Sequence, residues 1–270
     1  MKSLIIAFAM YSKLPMPRVE WEKKALSWAL CWFPLVGAVI GAVLYGWMAL
    51  AGKLMFGPVF FAAFALLLPI ALSGGIHLDG FCDTCDALSS HQSRERKLEI
   101  LKDSHTGAFA IICCALYLLV FFACWCEVAA VGRAALVLAL GPVLSRSLSG
   151  LFALTLPNAR GSGLLATFTQ PADTARARGL LVIWVVACAA AMLWLDPGDT
   201  AVVLGLGPVG LCAAECAALL GAALICLYYR VMSARQFGGI TGDLAGFFLQ
   251  LCELGMVMAV AVAQKIEVLI

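Results

Sequence analysis

Apolar residues run through this chain in long blocks, separated by short clusters of glycine, proline and charge. Runs near 30–50, 56–75, 108–126, 134–156, 179–195, 201–228 and 244–264 have the length of bilayer-crossing helices. The breaks between them carry Gly52-Lys53, the polar stretch 77–107, residues 127–133, 157–178, the Asp196-Pro197-Gly198-Asp199 turn and residues 230–243. The pattern predicts an all-α fold, a polytopic membrane bundle of about seven transmembrane helices in one domain over 1–270. Arg146 interrupts the fourth run, and Glu215 and Glu253 fall in the sixth and seventh. The N-terminal MKSLIIAFAMYSKLPMP has one Lys before a short apolar run, but Lys13 follows it and no A-x-A-like site precedes Pro15. It reads as a retained interfacial or half-buried helix rather than a signal peptide.

Composition agrees and narrows the choice. Of 270 residues, 63% are hydrophobic and 13% charged, whereas soluble domains run near 45–50% apolar and about 25% charged. A net charge of +2 offers no bulk attraction to nucleic acid. The 12 cysteines lie mostly inside apolar runs, so no disulfide framework is implied. With the N-terminus cytoplasmic, the inner loops hold 14 Lys and Arg and the outer ones 3, Arg146 lying within a span. Positive charge stays inside. Four segments then share the cytoplasmic face: the N-terminal 1–29, the acidic 74–107, the stretch 157–178 and the polar 230–246.

Those segments carry the candidate chemistry. In GGIHLDGFCDTCDALSS (74–90), Asp79, Asp83 and Asp86 are spaced i, i+4, i+7, which puts them in a sector about 60° wide on a helix. Like charges on one stripe repel, and oxygen-only ligands suit a hard cation such as Mg²⁺; the bland reading is a solvated acidic face. His77 reads as a second-sphere group, an acid or base, or an interfacial histidine. Cys82 and Cys85 form a C-x-x-C that reads best as two small packing residues. Arg94, Arg96 and Lys97 open a short amphipathic surface helix. In Lys102-Asp103-Ser104-His105-Thr106-Gly107, a phosphate clamp with Asp103 as an added ligand competes with a simple helix cap by Asp103 or Ser104. Arg146 suits either a phosphate or an ion pair with Glu215 or Glu253. Thr241-Gly242-Asp243 stands at the entrance of the last run, as a site or as a cap.

Taken in order, SKLPMP (12–17), FPLVGAVIG (33–41), GGIHLDGFCDTCDAL (74–88), RERKLEILKDSHTGAF (94–109), the Arg146 region and GGITGDLAG (238–246) resemble the cobalamin synthase family. The stretch 157–230 matches only loosely, and no function is carried onto it. The chain departs from the family pattern at Cys82, Cys85, Ala87, His105 and Ala110. The resemblance implies a Mg²⁺-dependent enzyme of the bacterial inner membrane, acting at its cytoplasmic face late in cobalamin biosynthesis. It would join adenosylcobinamide-GDP to α-ribazole or α-ribazole 5′-phosphate, the ribazole 3′ oxygen attacking the corrinoid-side phosphoryl group and GMP leaving. On this reading Asp79, Asp83 and Asp86 are the metal ligands. Asp79, Asp83, Asp103, His77 and Asp243 are the catalytic candidates. Lys102, Ser104, Gly107, Arg146, Thr241 and Gly242 contact substrate. The partners are those substrates and the lipid bilayer, with an oligomer or a complex of late-pathway enzymes left open.

Two other readings compete. Membrane transferases acting on CDP-alcohols or polyprenyl groups also use Asp-rich helices with Mg²⁺, but D-G-x-x-A-R and N-x-x-x-D-x-x-x-D are missing from this sequence. A divalent-cation or corrinoid transporter would line a path with Glu215, Glu253 and Arg146. Transporters place acidic groups at mid-span, whereas here they gather at one rim.

Overall fold

A computed structural model describes residues 1–103, 105–161, 164–169, 174–194 and 210–269. Helices α1 (Lys2–Tyr11), α2 (Lys23–Leu26) and a 3₁₀ turn (Ala29–Trp32) lead into α3 (Phe33–Lys53) and α4 (Pro58–Ser73). After them come α5 (Ile76–Ser89), α6 (Arg94–Ile100), α7 (Ala108–Glu127), α8 (Gly132–Thr155), α9 (Leu164–Thr169) and α10 (Thr174–Trp194). The chain closes with α11 (Gly210–Gln236) and α12 (Gly242–Leu269). The described residues contain no strand, only one isolated bridge between Asn158 and Ile240.

Six of these helices are long and apolar enough to cross a membrane, and a seventh crossing arises if the bent pair α4–α5 counts as one. The expected second span is the one that changes. Sixteen residues of α4 reach about 24 Å at 1.5 Å each, short of a ~30 Å hydrocarbon core. The chain then turns by 94° into α5. Gly74 and Gly75 make that turn at φ 67° and 75°, a left-handed pair that a Cβ would strain. The Asp-rich segment is therefore a helix laid across the end of the bundle. The expected fifth helix starts earlier than its apolar run, at Thr174, and the first half of the run 201–228 lies outside the described residues.

Helices α3, α8 and α12 are buried over more than half of their apolar windows, whereas α7, α10 and α11 bury less than a third. The first three form the centre and the others surround it, turning Ile111, Leu119, Ile183, Val186, Leu220 and Leu227 outward as a lipid-facing surface would require. Polar groups sit inside instead: Ser145, Arg146, Ser147 and Gln250 are buried, and Gln250 accepts the Tyr117 hydroxyl. This inversion is the membrane pattern. Ile6, Ala7 and Phe8 of α1 are buried, so the N-terminal helix is packed into the protein, and the Lys13 N–H bonds the Leu72 carbonyl at 2.8 Å.

Helix α6 forms where its amphipathic pattern predicts, capped by Ser93. It docks at the α11 exit: Lys97 Nζ donates to Gln236 Oε1 at 2.5 Å, and the Arg94 guanidinium lies against Gly238. Cys82 and Cys85 are free thiols that meet Cys114 and Cys113 of α7. The C-x-x-C pair thus packs α5 onto α7.

Candidate active site

Helix α5 crosses the start of α12 closely enough that side chains are excluded at the crossing. A Cβ on Gly80 would stand 2.8 Å from the Asp243 carbonyl oxygen, and one on Gly246 would stand 2.8 Å from that of His77. Only glycine on both helices permits this approach. Phe81 and Phe247 stack beside the crossing, 5.4 Å between centroids and 14° apart in plane. The sequence thereby brings two acidic segments, remote in the chain, against one another.

The first turn of α12 is capped by Thr241, whose Oγ1 accepts the Leu244 N–H at 3.2 Å. Asp243 is left free of that duty. It faces a third segment, the exit of α8. Residues 157–161 are tied to the α12 entrance by backbone bonds from Ile240 N to Pro157 O (2.8 Å) and from Ala159 N to Ile240 O (2.9 Å). Asn158 Oδ1 accepts the N–H groups of Arg160 and Gly161 at 2.9 and 3.1 Å, closing an Asx turn. That turn sets the Arg160 guanidinium 3.1 Å from Asp243 Oδ2.

Between these segments lies a cavity of ≈190 Å³. Its polar lining is His77 and Asp79 from α5, Asn158 and Arg160 from the α8 exit, Thr241, Gly242 and Asp243 from the α12 entrance, and Ser149. Asp83, one turn beyond Asp79, lies within electrostatic reach of Asp79, Asp243 and Arg160. Five of the residues singled out in the sequence thus meet at one cavity: His77, Asp79, Thr241, Gly242 and Asp243.

The rest are placed differently. Asp86 shares the stripe with Asp79 and Asp83 but is turned to α7, where its two oxygens accept the N–H groups of Gly107 (2.5 Å) and Ala110 (2.9 Å). It is the missing cap of α7, a duty the sequence pattern had offered to Asp103 or Ser104. Gly107 serves that contact, since a Cβ there would strike the Asp86 carboxylate. Lys102 and Asp103 are exposed outside the cavity, and Ser104 lies outside the described residues. The Asp103 carboxyl is held below its ordinary range, chiefly by the His105 N–H and then by the His105 ring. Arg146 is buried and bonds Glu253 at 2.6 Å and the Pro142 carbonyl at 3.1 Å. Ser145 also donates to Glu253, at 2.9 Å. Of the two readings left open for Arg146, the structure contains the ion pair. Glu215 pairs with Arg133 at 2.9 Å.

Arg160 and Asn158 were not singled out in the sequence, nor were Tyr11 and Phe168, which line the same cavity. Among the described residues no three His, Cys, Asp or Glu side chains close into a ready-made metal cage. The acidic side chains at the cavity offer oxygen ligands, a chemistry that suits a hard cation with open positions rather than a soft one.

The family profile for cobalamin-5-phosphate synthase matches residues 3–261. Among similar curated proteins, adenosylcobinamide-GDP ribazoletransferase of Lachnoclostridium phytofermentans is 41% identical over 266 residues, 98% of this chain and 95% of the relative. The protein of the same name from Pseudomonas aeruginosa is 34% identical, covering 97% of this chain and 98% of its own. That from Clostridium perfringens is 31% identical, covering 93% and 94%. No solved structure matches. With the profile spanning nearly the whole chain and relatives matched over almost their full length, the chain belongs to the cobalamin-5-phosphate synthase family.

Proposed function

We propose that this chain is a Mg²⁺-dependent transferase that joins adenosylcobinamide-GDP to α-ribazole or α-ribazole 5′-phosphate, giving adenosylcobalamin or its 5′-phosphate and GMP. Its site would open at the cytoplasmic face of the bacterial inner membrane, in keeping with the bias of Lys and Arg toward that end. The observation that carries the reading is the single cavity at which Asp79, Asp243 and Arg160 meet, within a chain whose relatives bear that transferase name.

The residues divide the work as follows. Asp79 and Asp83 would hold the metal, matching the one or two carboxylates that Mg²⁺ takes beside phosphate oxygens. Bound there, Mg²⁺ supplies charge neutralisation on the pyrophosphate and on the departing GMP. Arg160 neutralises Asp243 in the resting protein. Its planar guanidinium suits a phosphate oxygen equally well, so substrate arrival exchanges one anion for another and releases Asp243. The freed carboxylate then accepts the proton of the ribazole 3′ hydroxyl as that oxygen bonds to the corrinoid-side phosphorus and the bond to GMP breaks. Asp103 is the weaker base, because its bonds to His105 favour its ionised form. With Lys102 it stands outside the cavity, where the bulky corrinoid or the GDP would have to lie.

The test is GMP release by purified protein from adenosylcobinamide-GDP and α-ribazole 5′-phosphate, before and after chelation. Turnover should stop with chelator and return with Mg²⁺, and Asp83→Asn should abolish it. Full Mg²⁺-dependent turnover by Asp83→Asn would refute the metal assignment. Sealed inside-out vesicles should be active and right-side-out vesicles latent. Metal uptake into proteoliposomes without GMP release would point to a transporter instead.

A further inference from the structure

The cavity has two unlike halves. Its mouth is charged, with Asp79, Asp243 and Arg160; its wall is aromatic, formed by Tyr11, Phe33 and Phe168 with the imidazole of His77. Tyr11 contacts Phe33 at 4.2 Å between centroids and Phe168 at 6.4 Å. The His77 ring lies nearly parallel to that of Tyr11, 21° apart in plane at 6.2 Å, and 5.7 Å from Phe33. These rings come from four separate parts of the chain. The N-terminal stretch is held in place by the Lys13 to Leu72 backbone bond, which keeps Tyr11 at the wall.

His77 is 5% exposed, yet its Nε2 has no hydrogen-bond partner among the described residues. Buried polar atoms are paired in nearly all native structures, and an exception calls for a reason. An unpartnered imidazole nitrogen on a residue that lines the cavity is a recognition point for a ring that is flat, apolar on its faces and polar at one edge atom. The size agrees. At ≈190 Å³ the cavity is smaller than the roughly 300–1,000 Å³ of a drug-sized pocket, so a corrin macrocycle is excluded, whereas one bicyclic ring is admitted.

We infer that the aromatic wall seats the heteroaromatic base of the nucleoside acceptor, with His77 Nε2 hydrogen-bonded to the unsubstituted nitrogen of that base. The inference rests on the transferase reading and gives it an orientation. With the base against Tyr11, Phe33 and Phe168, the attached sugar emerges at the charged mouth, where its hydroxyl meets Asp243. His77 is then a specificity-determining residue that binds the acceptor and leaves the proton to Asp243. A site that hydrogen-bonds a ring nitrogen discriminates sharply against an analogue lacking it, because its own polar group is left unpaired.

The experiment compares α-ribazole 5′-phosphate with the analogue carrying indole in place of benzimidazole, at saturating adenosylcobinamide-GDP, with GMP release as readout. The wild-type protein should prefer the benzimidazole acceptor by about 100-fold or more in kcat/KM. His77→Phe should raise KM for that acceptor about 10-fold or more, change kcat and the KM of the corrinoid donor little, and erase the preference. His77→Gln, which keeps a hydrogen-bonding group, should retain most of it and guards against a variant that fails to fold. Equal use of both acceptors by the wild-type protein would overturn the inference. So would loss of kcat without change in KM or in preference when His77 is replaced. A wild-type protein releasing no GMP with any nucleoside acceptor would instead defeat the transferase reading itself.

Discussion

Two arginine–carboxylate pairs connect α8 and its exit to α12, and they differ in what surrounds them. Arg146 and Glu253 meet deep in the bundle, 2% and 11% exposed, with Ser145 and the Pro142 carbonyl taking up further bonding capacity. Arg160 and Asp243 meet 3.1 Å apart at the rim, 19% and 26% exposed, and both line the cavity. The inner pair is closed: each charge needs the other because burial keeps water and ligand ions away from both. The outer pair is open, since a phosphate or a nucleophile entering the cavity can replace either partner. The same chemistry serves cohesion in one place and exchange in the other, and solvent access makes the difference.

Replacing one partner of the inner pair should produce the largest effect on the fold. Arg146→Met leaves Glu253 buried without its cation, and a loss of about 3–5 kcal/mol is expected, read as a drop in thermal midpoint in detergent. The double variant Arg146→Met with Glu253→Leu should recover most of that loss. Failure to recover would mean that Arg146 has a duty other than the pair.

At the outer pair the expectation reverses. Asp243→Asn and Asp79→Asn should lower GMP release by about 100-fold or more, in the range seen when a group acting on developing charge is removed, with the thermal midpoint nearly unchanged. Equal loss of stability at both pairs would erase the distinction between them. Arg160→Gln should come next, with about a 10-fold fall in kcat/KM, the size of one exposed charge-assisted contact, and no loss of fold.

The smallest change is expected at Asp86. Asn in its place keeps one acceptor for two N–H groups, which should cost about 1 kcal/mol, the usual worth of a helix cap, while turnover persists. Loss of Mg²⁺-dependent turnover with stability intact would restore Asp86 to the metal set.

Much of this architecture was legible in the sequence, and the failures have physical causes. The crossings α3, α7, α8 and α12 follow from apolar length alone, because a bilayer admits little else. The shortness of α4 was hidden, since an apolar run does not show where a helix turns; Gly74-Gly75 was the available sign. Asp79 and Asp243 were readable as acidic groups at one rim. Asp86 was not separable from Asp79 and Asp83, because helical spacing gives a direction around the axis and says nothing of what waits there. Arg146 drew attention because charge in a span is costly. Arg160 sits in a polar stretch, where an arginine needs no explanation. The bonds from Ile240 to the 157–159 backbone, together with the Asx turn at Asn158, bring it to Asp243, and such long-range pairing leaves no local trace.

The bond from Asp86 to the head of α7 ties together two points 21 residues apart in sequence. Between them α6 docks on the α11 exit through Lys97 and Gln236 before the chain returns to the same spot. Even doubling a flexible loop costs only about 0.6 kcal/mol in closure entropy. The turn at 90–93 should therefore accept inserted residues, whereas shifting Asp86 by one position would unseat α7. A tag or a reporter grafted into the turn at 90–93 should leave the cavity in place.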